Sequence, residues 1–338
     1  MHLAVTGTVD LSNFSTGLRE TTLDGLELVG RGKVRDKYQL PSGHLLIVTT
    51  DRISVGDMIV GTVPGKGAVL NMLSAYWFDR TGDIMPNHKV SVPHPNVLIC
   101  ERADRVLPVE VVLRRYMASS MSSTSIYYSY SRGERTIYGL QFPDGLEANQ
   151  ELPMGTIITP TTKSEEHDAP LTDAEAAELV DAETGRGTWA QVKTVAVQLF
   201  DRATEVMKRV GLLLVDTKIE FGLDRAGRLM VIDELFTPDS SRLWLADSYG
   251  ERLAAGKSPQ NFDKEKVRAF LYEQQGWRPD EPCPCIPEDL KTATYEAYAT
   301  PYRMITGQSM PSLPTDPRAI EDEICQVVRE AAASVRAR

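Results

Sequence analysis

Carboxylates, hydroxyls and a guanidinium gather in one short stretch of this 338-residue chain, Ile232-Asp233-Glu234-Leu235-Phe236-Thr237-Pro238-Asp239-Ser240-Ser241-Arg242-Leu243-Trp244, where an apolar strand runs into a polar loop. Upstream, Leu212 to Phe221 reads as a second strand. Asp224-Arg225-Ala226-Gly227 between them is a turn sequence, so the two predict an antiparallel hairpin. Side chains two apart in a strand share a face, which groups Asp216, Lys218 and Glu220. With the turn confined to those residues, Leu223 faces Arg228. Counting back sets Lys218 opposite Asp233, with Glu220 diagonal to it. Glu220 and Asp233 are then two oxygen donors beside one lysine. Two protein carboxylates, with the other ligands from water and phosphates, are a common way to hold Mg²⁺ in a nucleotide site. A solvated hairpin face is the competing reading.

Other segments would bring further groups to such a site. Gly30-Arg31-Gly32-Lys33-Val34-Arg35 places glycines before alternating basic residues, and Pro41-Ser42-Gly43 turns the chain into the strand Leu45 to Thr49. Gly30 and Gly32 let a backbone approach an anion, and Lys33 and Arg35 would face one side of it. Charged alternation also protects edge strands, and the glycine spacing is not that of a Walker loop. Thr50-Asp51-Arg52-Ile53-Ser54 presents polar groups at a strand end, and Lys66, between Gly65 and Gly67, is either a turn residue or a phosphate contact. Ala68 to Arg80 reads as a helix. His88 and His94 lie among prolines and read as loop histidines.

The apolar strand Val106 to Leu113 ends in Arg114-Arg115, with Ser119 and Ser120 just beyond. Guanidinium forks there suit a phosphate or carboxylate, or else salt-bridge on the surface. Ser119 to Ser131 reads as a polar loop. Ile157 to Thr162 delivers Lys163 and the pair His167-Asp168, with no serine or cysteine nucleophile motif alongside. Thr172 with Glu175, and Thr188 with Gln191, fit capping boxes opening two helices, the second apolar at helical spacing to Val210. Helical signals follow in Asp263 to Gln274, Glu288 to Tyr298 and, after a proline-bounded linker, Arg318 to Arg338.

Composition narrows the function class. A net charge of −10, from 37 basic and 47 acidic residues, argues against a nucleic-acid or anionic-membrane binder. No run reaches the roughly 18 apolar residues of a membrane span, and Met1 to Asp10 lacks a signal-peptide pattern, so a cytoplasmic protein is expected. Both monomer and homo-oligomer stay open. Cys100, Cys283, Cys285 and Cys325 read as reduced, structural thiols.

Taken together, Gly32-Lys33-Val34-Arg35-Asp36, Thr50-Asp51-Arg52-Ile53-Ser54, Pro160-Thr161-Thr162-Lys163 with Glu166-His167-Asp168, Asp216-Thr217-Lys218-Ile219-Glu220-Phe221-Gly222, and Asp233-Glu234 with Thr237 to Trp244 resemble the SAICAR synthetase family. The resemblance runs from about Leu23 to about Gly307. It implies an ATP-dependent ligase of de novo purine biosynthesis, joining the carboxylate of carboxyaminoimidazole ribonucleotide (CAIR) to the amine of L-aspartate. By motif, Gly32, Lys33, Arg35 and Lys66 would contact ATP, Glu220 and Asp233 would hold Mg²⁺, and Lys218, Lys163 and Asp168 would serve the reaction. Arg114, Ser120, Asp239, Ser241 and Arg242 would bind the ribonucleotide.

The implied fold is α+β. It comprises an N-terminal antiparallel β domain over ATP (residues 1–105), a larger mixed domain resembling kinase and ATP-grasp architectures (106–310), and a C-terminal linker and helix (311–338). Arg115 and Ser119 stand where the family usually carries glycines, and Ser122 to Arg132 is unusually rich in serine and tyrosine. These departures leave ATP use intact and raise a second reading, a paralogous ligase joining aspartate to a CAIR-like azole such as a C-nucleoside precursor. A small-molecule kinase and a silent nucleotide-binding partner are the readings from other classes.

Overall fold

The computed structural model describes residues 17–336 apart from Asp57, residues 164–167, Asp280 and Thr315, so Glu166 and His167 of the expected motif lie outside the described residues. Strands Glu27–Arg31, Arg35–Gln39, Leu45–Thr49, Val97–Cys100 and Lys89–His94 pair in that order into a five-stranded antiparallel sheet. Strand alternation gives this sheet two apolar faces. Ile47, Leu98 and Cys100 look into the main core with the helix Lys66–Thr81, while Tyr38, Leu46, Val48, Val97 and Ile99 look the other way.

The second face is closed by the helix Pro317–Arg336, whose Ile320, Ile324 and Val328 recur at helical spacing and are buried against it. Burial of each such side chain contributes about 1.5–3 kcal/mol.

A seven-stranded sheet is built around the long strand Leu212–Leu223. That strand pairs antiparallel with Arg105–Val106, Val109–Arg114, Leu229–Ile232 and Ser241–Leu245, and Val109–Arg114 also carries Ile157–Ile158 and Thr161–Thr162. The helix Thr188–Arg209 lies against the sheet through Val192, Val195, Ala196, Leu199, Phe200, Ala203 and Met207. Residues of both sheets share one core cluster, which runs from Ile47 and Leu98 through Val111 and Ile219 to Tyr298. The architecture is α+β, with antiparallel pairing throughout both sheets.

Several sequence expectations shift by a residue or change character. The capping box at Thr172 and Glu175 forms, but Thr188 is already inside its helix, whose cap is the left-handed Gly187. The carboxylate of Asp181 accepts from the amides of Gly187 and Trp189, doing the work expected of a threonine cap. In the hairpin, Leu223 pairs with Leu229 and Glu220 with Ile232, one residue away from the expected register. Asp224 is the cause: its carboxylate accepts from the amides of Ala226 and Arg228, lengthening the turn by one residue. Asp263 to Gln274 becomes a short α-helix, Glu265–Ala269, followed by a π-helical turn, Phe270–Gln274. The serine- and tyrosine-rich stretch carries a helix, Ile126–Ser131, and packs on a small core with Met117, Ile126, Tyr130, Tyr138 and Phe142.

Candidate functional site

The glycine loop joins Glu27–Arg31 to Arg35–Gln39, and the motif expected to present polar groups at a strand end instead pins this loop from beneath. The buried guanidinium of Arg52 donates to the carbonyls of Arg19 (2.5 Å), Gly32 (2.9 Å) and Lys33 (3.2 Å) and to Asp36 (2.8 Å). Thr50 holds the Val34 carbonyl through its amide and hydroxyl. Asp51 accepts from the amides of Leu18 and Gly67, and burial pushes its carboxyl up to about 6. A Cβ on Gly67 would sit 2.3 Å from the Thr49 carbonyl oxygen, so glycine is required for this approach. Gly32 and Lys33 lie exposed at the loop's bend.

Below the loop, a cavity of about 370 Å³ opens between the two sheets, lined by Lys37, His88, Lys163, Glu220, Ile232 and Asp233 among others. Asp233 leaves the hairpin ladder with φ of 65°, a left-handed conformation uncommon for aspartate. Its carboxylate meets Arg35 at 3.1 Å and Lys37 at 3.9 Å, and Arg35 also binds Glu234 at 2.7 Å. Burial opposes the charge on Asp233, but Arg35 and Lys37 outweigh it and hold the carboxyl well below its usual range. Glu220 is paired with Lys163 and lies 3.5 Å from Lys218, whose ammonium also meets Glu110 at 2.7 Å. Lys218 feels burial first, yet Glu110 and Glu220 hold it above its ordinary value. Burial pushes Glu110 up to about 7 against the pull of Lys218. Asp168, half-buried, is close enough to Glu110 and Tyr138 to raise the pKa of each.

Glu220 and Asp233 thus reach one cavity although the hairpin register differs from expectation. The donor set is two carboxylates, and among the described residues no cluster of three or more His, Cys, Asp or Glu could form a dedicated metal cage. All-oxygen ligands in that number fit Mg²⁺ completed by water and phosphates.

A second pocket of about 460 Å³ lies along the same sheet, lined by Ser119, Ser120, Ser122, Arg242, Trp244 and Arg268 among others. Asp216 on the long strand faces Arg114 on one neighbouring strand and Arg242 on the other. Its carboxylate accepts from Arg242 at 2.8 Å and lies 3.7 Å from Arg114. Arg114 also donates to Thr159 Oγ1 and to the Thr124 carbonyl, so one fork is held on three sides. Arg115 pairs with Glu151 at the surface, and the Ser119 amide donates to Asn149.

Of the residues expected to touch ligands, Lys163, Glu220 and Asp233 line the first cavity and Ser120 and Arg242 the second pocket, whereas Gly32, Lys33, Arg35, Lys66, Arg114, Asp168, Lys218, Asp239 and Ser241 line neither. Lys66 is buried and donates to Asp239 at 2.6 Å, and Asp239 also accepts from Tyr298 at 2.7 Å. Burial opposes the Asp239 charge, and Lys66 outweighs it, holding the carboxyl well below its usual range. Ser241 exchanges a hydrogen bond with Thr217 at 2.7 Å, because alternation sends Arg242 and Trp244 to the pocket side and Ser241 to the other. Sequence reading missed Lys37, Glu110, Asp216 and His88 as site groups. Lys37 continues the two-residue alternation from Arg35, and Glu110 is a lone charge inside an apolar strand, so both carried a signal. His88 did not: it is buried, and burial pushes its imidazole down to about 4.

The strand-borne cations, the paired carboxylates and the pocket lined by Arg242 and Arg268 are groups chemically suited to anionic ligands, and comparison with known proteins gives the chain a family. The family profile of SAICAR synthetase matches residues 28–282. A putative phosphoribosylaminoimidazole-succinocarboxamide synthase 2 of Agrobacterium fabrum is 46% identical over 295 residues, covering 86% of this chain and 91% of that protein. The phosphoribosylaminoimidazole-succinocarboxamide synthase of Legionella pneumophila strain Lens is 42% identical over 294 residues, covering 87% and 92%. Among solved structures, the SAICAR synthase of Saccharomyces cerevisiae complexed with SAICAR superposes with a TM-score of 0.74 at 32% identity, covering 87% of this chain and all of that one. A type-2 SAICAR synthetase in complex with ADP shares the fold, with a TM-score of 0.62 at 22% identity. The chain belongs to the SAICAR synthetase family.

Proposed function

We propose that this protein is the phosphoribosylaminoimidazole-succinocarboxamide synthase of purine biosynthesis. It forms an amide between the carboxylate of CAIR and the amine of L-aspartate while ATP is cleaved to ADP and phosphate. The observation that carries the reading is 42–46% identity to synthases of that name over most of both chains. The specialised-ligase alternative has no comparable support.

A carboxylate is a poor electrophile, so the γ-phosphoryl group is transferred to it first, and the aspartate amine then attacks the acyl phosphate. Positioning and electrostatics suffice for such a transfer, with no covalent bond to the enzyme. In this reading ATP lies under the glycine loop, with Gly32, Lys33, Arg35 and Lys37 around its phosphates. Glu220 and Asp233 hold Mg²⁺, which when bound neutralises phosphate charge and polarises the transferred group. Lys218 and Lys163 stabilise the charge that spreads as the phosphoryl group moves, and Asp168 orients the amine side. Arg114, Ser120 and Arg242 bind the ribonucleotide, while Lys66 and Asp239 brace the loop that leads into the strand of Arg242 and Ser241 anchors that strand to Thr217. Residues 1–105 cover ATP, 106–310 carry the metal and acceptor groups, and 311–338 brace the first sheet. The nucleotide and amino-acid substrates agree with a cytoplasmic enzyme.

The test is incubation with ATP, Mg²⁺, L-aspartate and CAIR, following ADP and the succinocarboxamide by mass spectrometry. Coupled, equimolar appearance of both is expected. ADP formation without amide would move the assignment to a kinase, and no turnover would overturn it.

A further inference from the structure

His88 is a buried titratable group in the cleft to which the proposed chemistry gives no task. It is 3% exposed, directly before the strand Lys89–His94. Its amide donates to the Val231 carbonyl (3.0 Å) and its carbonyl accepts from the Glu101 amide (2.7 Å), tying the approach to Asp233 to the segment that leaves the first sheet. The imidazole packs edge-on against Phe78, with ring centroids 5.2 Å apart, and lines the cavity with Lys37, Glu220 and Asp233. Its Nε2 is buried and has no hydrogen-bond partner among the described residues. An apolar side chain of similar size would fill the same niche without burying an unpaired ring nitrogen, so that nitrogen by itself stabilises nothing in the free protein.

Beside it stands Asp233, a non-glycine residue in the left-handed region, whose backbone lies against the imidazole. Strained residues persist only where their surroundings hold them, and they gather at ligand sites.

We propose that His88 is a positioning residue for the nucleotide-loaded cleft: its ring backs the strained Asp233 peptide, and its unpaired nitrogen gains a partner from the group that occupies the cavity. The inference rests on the nucleotide reading of the cleft. It predicts a residue that favours the loaded protein over the free one, the opposite of an ordinary core side chain.

The experiment uses the full chain as wild type, His88→Leu and His88→Gln, with ADP and Mg²⁺ titrated calorimetrically and melting measured without ligand. His88→Leu is expected to melt at or above the wild-type temperature yet bind ADP with Mg²⁺ about 10-fold more weakly. Its kcat should fall while KM for CAIR stays unchanged, and His88→Gln should recover most of the affinity. Wild-type affinity in His88→Leu overturns the proposal, as does a lowered melting temperature with unchanged binding. Should the leucine variant fail to fold, the glutamine variant decides: affinity near wild type supports the proposal and a full loss overturns it. Wild-type protein that binds no ADP overturns the nucleotide reading itself, an outcome visible without any His88 variant.

Discussion

The cleft lined by Glu220 and Asp233 and the pocket lined by Ser120 and Arg242 adjoin the same long strand, yet they are built by different means. In the cleft the charged groups Arg35, Lys37, Glu110, Lys218 and Glu220 sit on paired strands, and each carboxylate meets a cation. The second pocket takes only Arg242 and Trp244 from a ladder, in which Arg242 pairs with Asp216 and Asp216 in turn with Arg114. Its outer wall is the Ser119–Ser122 loop and a segment reaching the π-helical turn at Phe270–Gln274. The family departures Arg115 and Ser119 fall on or next to that outer wall. Under the proposed function, phosphoryl chemistry would be fixed on rigid elements, while recognition of the second substrate would fall to a loop-built wall.

This contrast can be broken or sharpened by substitution. The largest effect is expected in the cleft: Asp233→Asn should lower kcat/KM by about 10³-fold, measured by steady-state ADP release, because one of the two carboxylates proposed to hold Mg²⁺ loses its charge. Arg52→Ala should destabilise the protein by about 3 kcal/mol in denaturant melts, since it strips the glycine loop of its anchor and leaves Asp36 poorly countered.

Acid should act through His88. The unfolded imidazole takes up its proton near its ordinary value, while the buried one resists until about 4. The unfolded state therefore binds more protons in between, so the stability from this group is present above roughly pH 6.5 and lost as pH falls toward 4, by at most about 3 kcal/mol. Melts of wild type against His88→Leu across that window isolate it.

In the second pocket, Arg242→Ala should raise KM for CAIR about 30-fold and leave KM for ATP unchanged. A matching rise for ATP would erase the distinction between the two regions. Arg115→Ala, whose partner Glu151 is at the surface, should change kcat/KM by less than about 2-fold.

The sequence made the strands legible because alternation and turn residues are local signals, and it placed Glu220 and Arg114 on strands that form, whereas Arg242, read into a polar loop, stands on the strand Ser241–Leu245. It missed by one residue where a side chain decides geometry. Asp224 lengthens the turn through its own hydrogen bonds, and Asp233 takes a left-handed conformation that no neighbour announces. Ser241 illustrates a different failure: its segment read as a polar loop, so no alternation was available to show that on the strand Ser241–Leu245 it turns away from Arg242 and the pocket. Lys66 and His88 depend on partners far along the chain, Asp239 and Phe78 or Val231, and such pairings exist only in the folded protein.

The helix Pro317–Arg336 closes the outer face of a sheet made within the first hundred residues. A ribosome releases the chain from its N-terminus at about 5–20 residues per second. The first sheet therefore waits, with Tyr38, Leu46 and Val48 not yet covered by this helix, until Ile320, Ile324 and Val328 have emerged. The sheet and its cover are made about two hundred residues apart, and a chain cut short before Ile320 would carry an apolar sheet face that chaperones and proteases recognise.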